Sequence, residues 1–219
     1  MSVFIIDANN SAIGVAGHSL SLNLFNFVFI SWDEGNTSYV LVNSGASVFS
    51  YSDSGTHSAI IDNNFGMDTI VIDGHVGFVS STEGEGTAIF SNGSQITIGA
   101  TGSVESNETA ITGGSVSVTN HGTITGYVAI AGCDTITNAA TINGSSVGIH
   151  LNLNYGSVIN SGHITGGTGI IGSDCHIVNN GTIAGTGDNA IILESSTLAG
   201  TIQAVAIIAN YGTINGRFG

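Results

Sequence analysis

Along this chain apolar residues recur at every second position in short runs, and Gly, Asn, Ser and Asp separate the runs. Alternation with period two marks a β-strand with one face in a core, and the separating residues are those that turn a chain. From Ser38 onwards the predicted strands are SYVLVN, ASVFSY, SAIID, DTIVID, HVGFVS, TAIFS, SQITI, GSVES, TAIT and GSVSVTN. From Val118 the runs begin to copy one another. VTNHGTITG, TNAATING, INSGHITGG and VNNGTIAG align with Gly122, Ala140, Gly162 and Gly181 in one column, at steps of 18, 22 and 19 residues. Each column residue has an Asn two places before it (Asn120, Asn138, Asn160, Asn179) and an Ile two places after it (Ile124, Ile142, Ile164, Ile183).

A repeat this short cannot bury its own apolar face and must stack on its neighbours. The expected fold is all-β: a single-stranded parallel β-helix (β-solenoid) with about 20 residues and three short strands per coil. One strand follows the column residue (GTITG, ATING, GHITG, GTIAG). The second is YVAIAG, SVGIHL, TGIIG or NAIILE, and the third is DTITN, GSVIN, CHIVN or STLAG. Gly74 and Gly102 continue the column at a 28-residue step, so the earlier coils carry more elaborate turns. Stacked on copies about 4.8 Å away, Asn120, Asn138, Asn160 and Asn179 are expected to form a structural ladder of side-chain amides.

Two domains are expected: residues 1–37 as N-terminal strands, a cap or an assembly segment, and residues 38–219 as the solenoid. In SLSLNLFNFVFISW, Leu20, Leu22 and Leu24 alternate with polar residues, and Phe25, Phe27 and Phe29 follow on the opposite face. Both faces of that strand are apolar, which calls for a cover on each. At the other end, Gly200 opens a further GTIQ and Gly212 is the last column glycine, in NYGTINGRFG. The chain is expected to stop just after the first strand of a new coil, uncapped. Such a coil presents open backbone groups above apolar side chains and calls for another strand. Its simplest supplier is the next copy, with Leu22, Phe25, Phe27 and Phe29 meeting Tyr211, Ile214 and Phe218. Head-to-tail contacts of that kind propagate as a filament.

Composition narrows the partners. Of 219 residues, 33 are Gly and none is Pro, as suits a chain whose backbone N–H groups enter ladders. Mean hydropathy of +0.37 excludes a disordered chain. One basic residue, Arg217, stands against 15 acidic ones, for a net charge of −14. Nucleic acid and anionic membrane surfaces, both of which require Lys and Arg, are therefore excluded as partners. No apolar run is long enough to insert in a membrane. Divalent cations can bridge such an acidic surface, so loose Ca2+ binding is the one cofactor-like expectation. Ten of the acidic residues lie between Asp33 and Glu108, making one end of the rod the more acidic. Met1–Asn10 contains no recognisable cleavable signal.

Catalytic, cofactor and metal sets are not expected. Cys133 and Cys175 lie two coils apart, about 9.6 Å, beyond the roughly 7 Å a disulfide spans, so both are expected as reduced, packed thiols. The histidines His18, His57, His75, His121, His150, His163 and His176 show no HxxxH or HxH spacing. Glu83 and Glu85, in STEGEGT, resemble a glycosidase carboxylate pair, but a Gly-rich turn more commonly leaves such residues solvated. An outward file of Thr123, Thr141, His163, Thr182, Thr201 and Thr213 raises an ice-binding reading. Its neighbour file, Thr125, Asn143, Thr165, Ala184, Gln203 and Asn215, is mixed, and strand propensity accounts for the Thr file alone.

The NxGTIxG coils, from about Ala100 to Gly216, resemble repeats of bacterial secreted β-solenoids: autotransporter passengers, haemagglutinin-like adhesins and large secreted repeat proteins. The resemblance implies a bacterial, extracellular or cell-surface setting and a structural or surface role. The expected function is a non-enzymatic subunit that self-assembles head-to-tail into an extracellular filament or matrix fibre, with itself as partner. The alternative is an adhesin or passenger-type module binding glycans or surfaces. An ice-binding β-helix or a polysaccharide-active enzyme comes third.

Overall fold

A computed structural model of the chain describes residues 2–7, 28–30, 38–52, 58–62, 68–81, 86–151, 156–187, 189–194 and 206–216. Among them every element is a β-strand, and the strands stack in two parallel sheets. Sheet A has nine: Ser2–Ile6, Ser38–Val42, Thr69–Ile72, Gln95–Ile98, Ser117–Asn120, Thr135–Asn138, Ser157–Asn160, His176–Asn179 and Ile207–Asn210. Each pairs with the next in that order, which is the order of the coils.

Sheet B has fourteen strands in two tracks. The first track runs through Ser47–Ser52, His75–Ser80, Ser103–Ser106, the first halves of Thr123–Ala131 and Thr141–His150, His163–Gly166, Thr182–Gly185 and Thr213–Asn215. The second runs through Val28–Ile30, Ser58–Asp62, Thr87–Asn92, Thr109–Gly114, the second halves of the same two long strands, Thr168–Gly172 and Ile191–Leu193. Each complete coil thus contributes three strand segments to a parallel β-solenoid. In two coils the first and second segments fuse into one strand, bent where the register shifts between Gly126 and Val128. A methyl group at Gly144, on the partner strand at that bend, would fall on the carbonyl oxygen of Val147, so the bend requires glycine there.

The core follows from the period-two pattern. Val40, Ile70, Ile96, Val118, Ile136, Val158 and Ile177 form one inward column. Val76, Val104, Ile124, Ile142, Ile164 and Ile183 form a second, and Ile60, Ile89, Ile111, Ile130, Ile149 and Ile170 a third. Each such side chain contributes about 1.5–3 kcal/mol by leaving water. The columns are continuous, so every coil is stabilised by the coils on both sides of it.

Both sheets cross residue 37: Ser2–Ile6 pairs with Ser38–Val42, and Val28–Ile30 pairs with Ser58–Asp62. The third-strand place beside His176–Asn179 is taken by Ile207–Asn210, which supplies an Asn to the ladder; STLAG lies outside the described residues. The Thr file therefore steps from Thr182 to Thr213 and its neighbour from Ala184 to Asn215; Thr201, Gln203 and the Gly200 turn lie outside the described residues.

Candidate assembly surfaces

At the corner between sheet A and the first track, the inward position changes from apolar to amide along the rod. It is Val42, Ile72 and Ile98 in the earlier coils, then Asn120, Asn138, Asn160 and Asn179. All four asparagines are fully buried. Asn120 Nδ2 donates to Asn138 Oδ1, Asn138 Nδ2 to Asn160 Oδ1, Asn160 Nδ2 to Asn179 Oδ1 and Asn179 Nδ2 to Asn210 Oδ1, each at 2.8 Å. Each Nδ2 also reaches main-chain carbonyls, as Asn160 does at Gly162 (3.2 Å) and Thr182 (3.1 Å). The Oδ1 atoms accept from backbone N–H groups two residues on, at Gly122, Ala140 and Gly181. The amides therefore close the turn within a coil and join it to the next, which is why buried polar groups are tolerated here.

Asn210 was not among the expected members, although NYG carries the same Asn-x-Gly signal. It sits in the same column but is exposed, and among the described residues its Nδ2 reaches a single acceptor, Gly212 O at 3.1 Å. Asn179 Nδ2 has three within reach: Gly181 O, Asn210 Oδ1 and Thr213 O. Around Asn210 lie four exposed apolar side chains: Ile207 at 55%, Ile208 at 39%, Tyr211 at 78% and Ile214 at 37%. Ile208 and Ile214 occupy the columns that are fully buried one coil earlier at Ile177 and Ile183. Among the described residues no strand pairs with the far edge of Ile207–Asn210 or of Thr213–Asn215.

Of the residues expected at an assembly contact, Tyr211 and Ile214 lie together on this end coil. Leu22, Phe25, Phe27 and Phe218 lie outside the described residues. Phe29 belongs to Val28–Ile30 and registers with Ile61 in the second track. Among the described residues the edge strand of sheet A at that end is Ser2–Ile6, within the region expected to hold N-terminal strands but not itself singled out by sequence.

Elsewhere the polar groups serve the coils themselves. Asp62 is fully buried and accepts from Ser91 Oγ at 2.9 Å and from Ser94 Oγ, tying a second-track strand to the corner that follows. His75 Nδ1 meets Ser103 Oγ at 2.9 Å, and its Nε2 lies 3.4 Å from Glu105 on the outer face of the first track. Glu83 and Glu85 lie outside the described residues. Among the described residues no three His, Cys, Asp or Glu side chains converge as metal ligands, and no helix is long and apolar enough to cross a membrane. Both cysteines are free and buried. Burial pushes the Cys133 thiol up to about 12, helped by Asp134 beside it, and raises Cys175 as well, with Asp174 adding to the effect.

In comparisons with known proteins, no family model, no curated protein and no solved structure matches this chain. The fold and its surfaces define a class, the parallel β-solenoid, here with a buried amide ladder and an exposed apolar end coil.

Proposed function

We propose that this chain is a structural subunit that self-assembles head-to-tail into an extracellular filament or matrix fibre. The observation that carries the reading is the end coil: core columns buried at Ile177 and Ile183 emerge into solvent at Ile208 and Ile214, beside an amide whose Nδ2 has one acceptor among the described residues. Ile207 N–H and Tyr211 N–H donate back to Cys175 O and Asn179 O. Alternation in a parallel strand then directs the backbone groups of Ile208 and Asn210 to the open edge.

The occupant that fits is the Ser2–Ile6 strand of a second copy, which lies at the opposite edge of the same parallel sheet. Continuing the register places Phe4 of that copy against Ile208 and its Ile6 against Asn210. The same translation then repeats indefinitely, so the contact is heterologous and open. The extracellular setting rests on the likeness of the NxGTIxG coils to those of secreted solenoids. Its bacterial character rests on the same likeness.

Ile208→Asp tests the contact. An Asp there is solvated in the free chain but buried without a partner once a strand docks over it. Sedimentation and negative-stain microscopy of the unmodified protein are expected to show threads, and Ile208→Asp to leave single rods. Single rods in both preparations at high concentration would refute the proposal; threads of equal length in both would refute this contact.

A further inference from the structure

The outer face of sheet A holds two files of side chains. One contains Tyr39, Thr69, Gln95, Ser117, Thr135, Ser157, His176 and Ile207. The other reads Ile5, Leu41, Val71, then Thr97, Thr119, Thr137, then Ile159, Val178, Ala209. Neither contains an Asp, Glu, Lys or Arg, on a chain of net charge −14. The second file is apolar at both ends and threonine in the middle, with Ile5 at 49% exposure and Ile159 at 44%.

We infer that two copies pair face to face through sheet A, antiparallel, about a two-fold axis passing by Thr119. Three features select that occupant and that orientation. First, reversing the file about Thr119 sets its apolar ends on each other, Leu41 against Val178 and Val71 against Ile159, and threonines on threonines. The face is therefore self-complementary, as an isologous contact requires. Second, ten of the 15 acidic residues lie between Asp33 and Glu108. An antiparallel pair sets that acidic end beside the less acidic end of its partner, whereas a parallel pair would set like charge on like. Third, nine strands about 4.8 Å apart and four residues wide give a face of about 500 Å2. Two such faces bury about 1,000 Å2, the lower bound for a specific contact. Along a thread the face would be continuous and the contacts would multiply, but the pair does not depend on end-to-end docking.

Cysteine cross-linking tests the inference, and the native thiols are buried. In the Ile208→Asp background, which removes end-to-end docking from the comparison, Thr119→Cys is expected to give a covalent dimer with a bis-maleimide that spans about 10 Å, the spacing of packed sheets. Leu41→Cys alone is not, since six strand spacings, about 29 Å, separate the two copies of that position. Leu41→Cys mixed with Val178→Cys is expected to link, and Thr141→Cys on sheet B is not. Linking of Leu41→Cys to itself as readily as Thr119→Cys would overturn the antiparallel pair. No linking of Thr119→Cys at about 100 μM, or equal linking of Thr141→Cys, would overturn the contact. Both exchanged threonines face outward, and circular dichroism checks that the fold is kept.

Discussion

Asn160 shows how a single residue binds three coils. Its Nδ2 donates to Asn179, its Oδ1 accepts from Asn138, and neither neighbour has water to turn to. Asn160→Ala removes both ladder bonds, so that Asn138 Nδ2 keeps only its main-chain acceptors and Asn179 Oδ1 only the Gly181 N–H, each loss in a buried site costing about 1–3 kcal/mol. Urea unfolding is expected to give a loss of about 2–5 kcal/mol, against less than about 0.5 kcal/mol for the exposed Thr141→Ala. Cys133 gives a second test at this scale. Its thiol is raised from 9.0 in an unfolded chain to about 12 in the folded one. Below pH 9 the thiol is neutral in both states. As pH rises from 9 towards 12 only the unfolded chain ionises, so stability falls through that window, by as much as about 4 kcal/mol. Cys133→Ala should flatten the decline, measured as unfolding free energy at pH 8, 9.5 and 11.

The elements were largely legible in the sequence because strand alternation is a local signal. The Asn-x-Gly column was legible for the same reason, as one short corner repeated at nearly constant spacing. Three things were not. SVFII has a strand's composition and is followed by Asp7, Asn9 and Asn10, but it carries no repeat column, and only pairing with Ser38–Val42 places it in the ladder. STLAG has the alternation of a strand, but the coil it was assigned to takes 31 residues from Asn179 to Asn210 and uses a later segment. Asp62 meets Ser91 and Ser94 only through stacking across coils, with no spacing to announce it. The bend in sheet B makes its own demand on sequence. Gly144→Val would drive a side chain into the Val147 carbonyl and add a β-branched residue to a tight corner. A drop in melting temperature of at least several degrees is expected, with the neighbouring exposed Asn143→Val within a degree or two, read by circular dichroism.

At the scale of the whole molecule, the sheets determine what the rod can do. Parallel strands in sequential order give two unlike ends, one at Ser2–Ile6 and one at Ile207–Asn210, and a translation is the simplest operation that joins them. The outer faces are nearly without cations, so under the proposed assembly the contacts between copies would be strand edges and the uncharged face of sheet A. Sequence reasoning placed Tyr211 and Ile214 at the docking end through the repeat column. The partners it named are Leu22, Phe25 and Phe27, which lie outside the described residues, and Phe29; among the described residues the open edge of sheet A at the opposite end is Ser2–Ile6. The most direct test is cryo-electron microscopy of the concentrated protein. Helical reconstruction should give a subunit rise of about 43 Å, nine strand spacings, with Ile207–Asn210 hydrogen-bonded in parallel to Ser2–Ile6 of the next copy. Single rods whose Ile208 and Ile214 are covered by residues of their own chain would contradict the account.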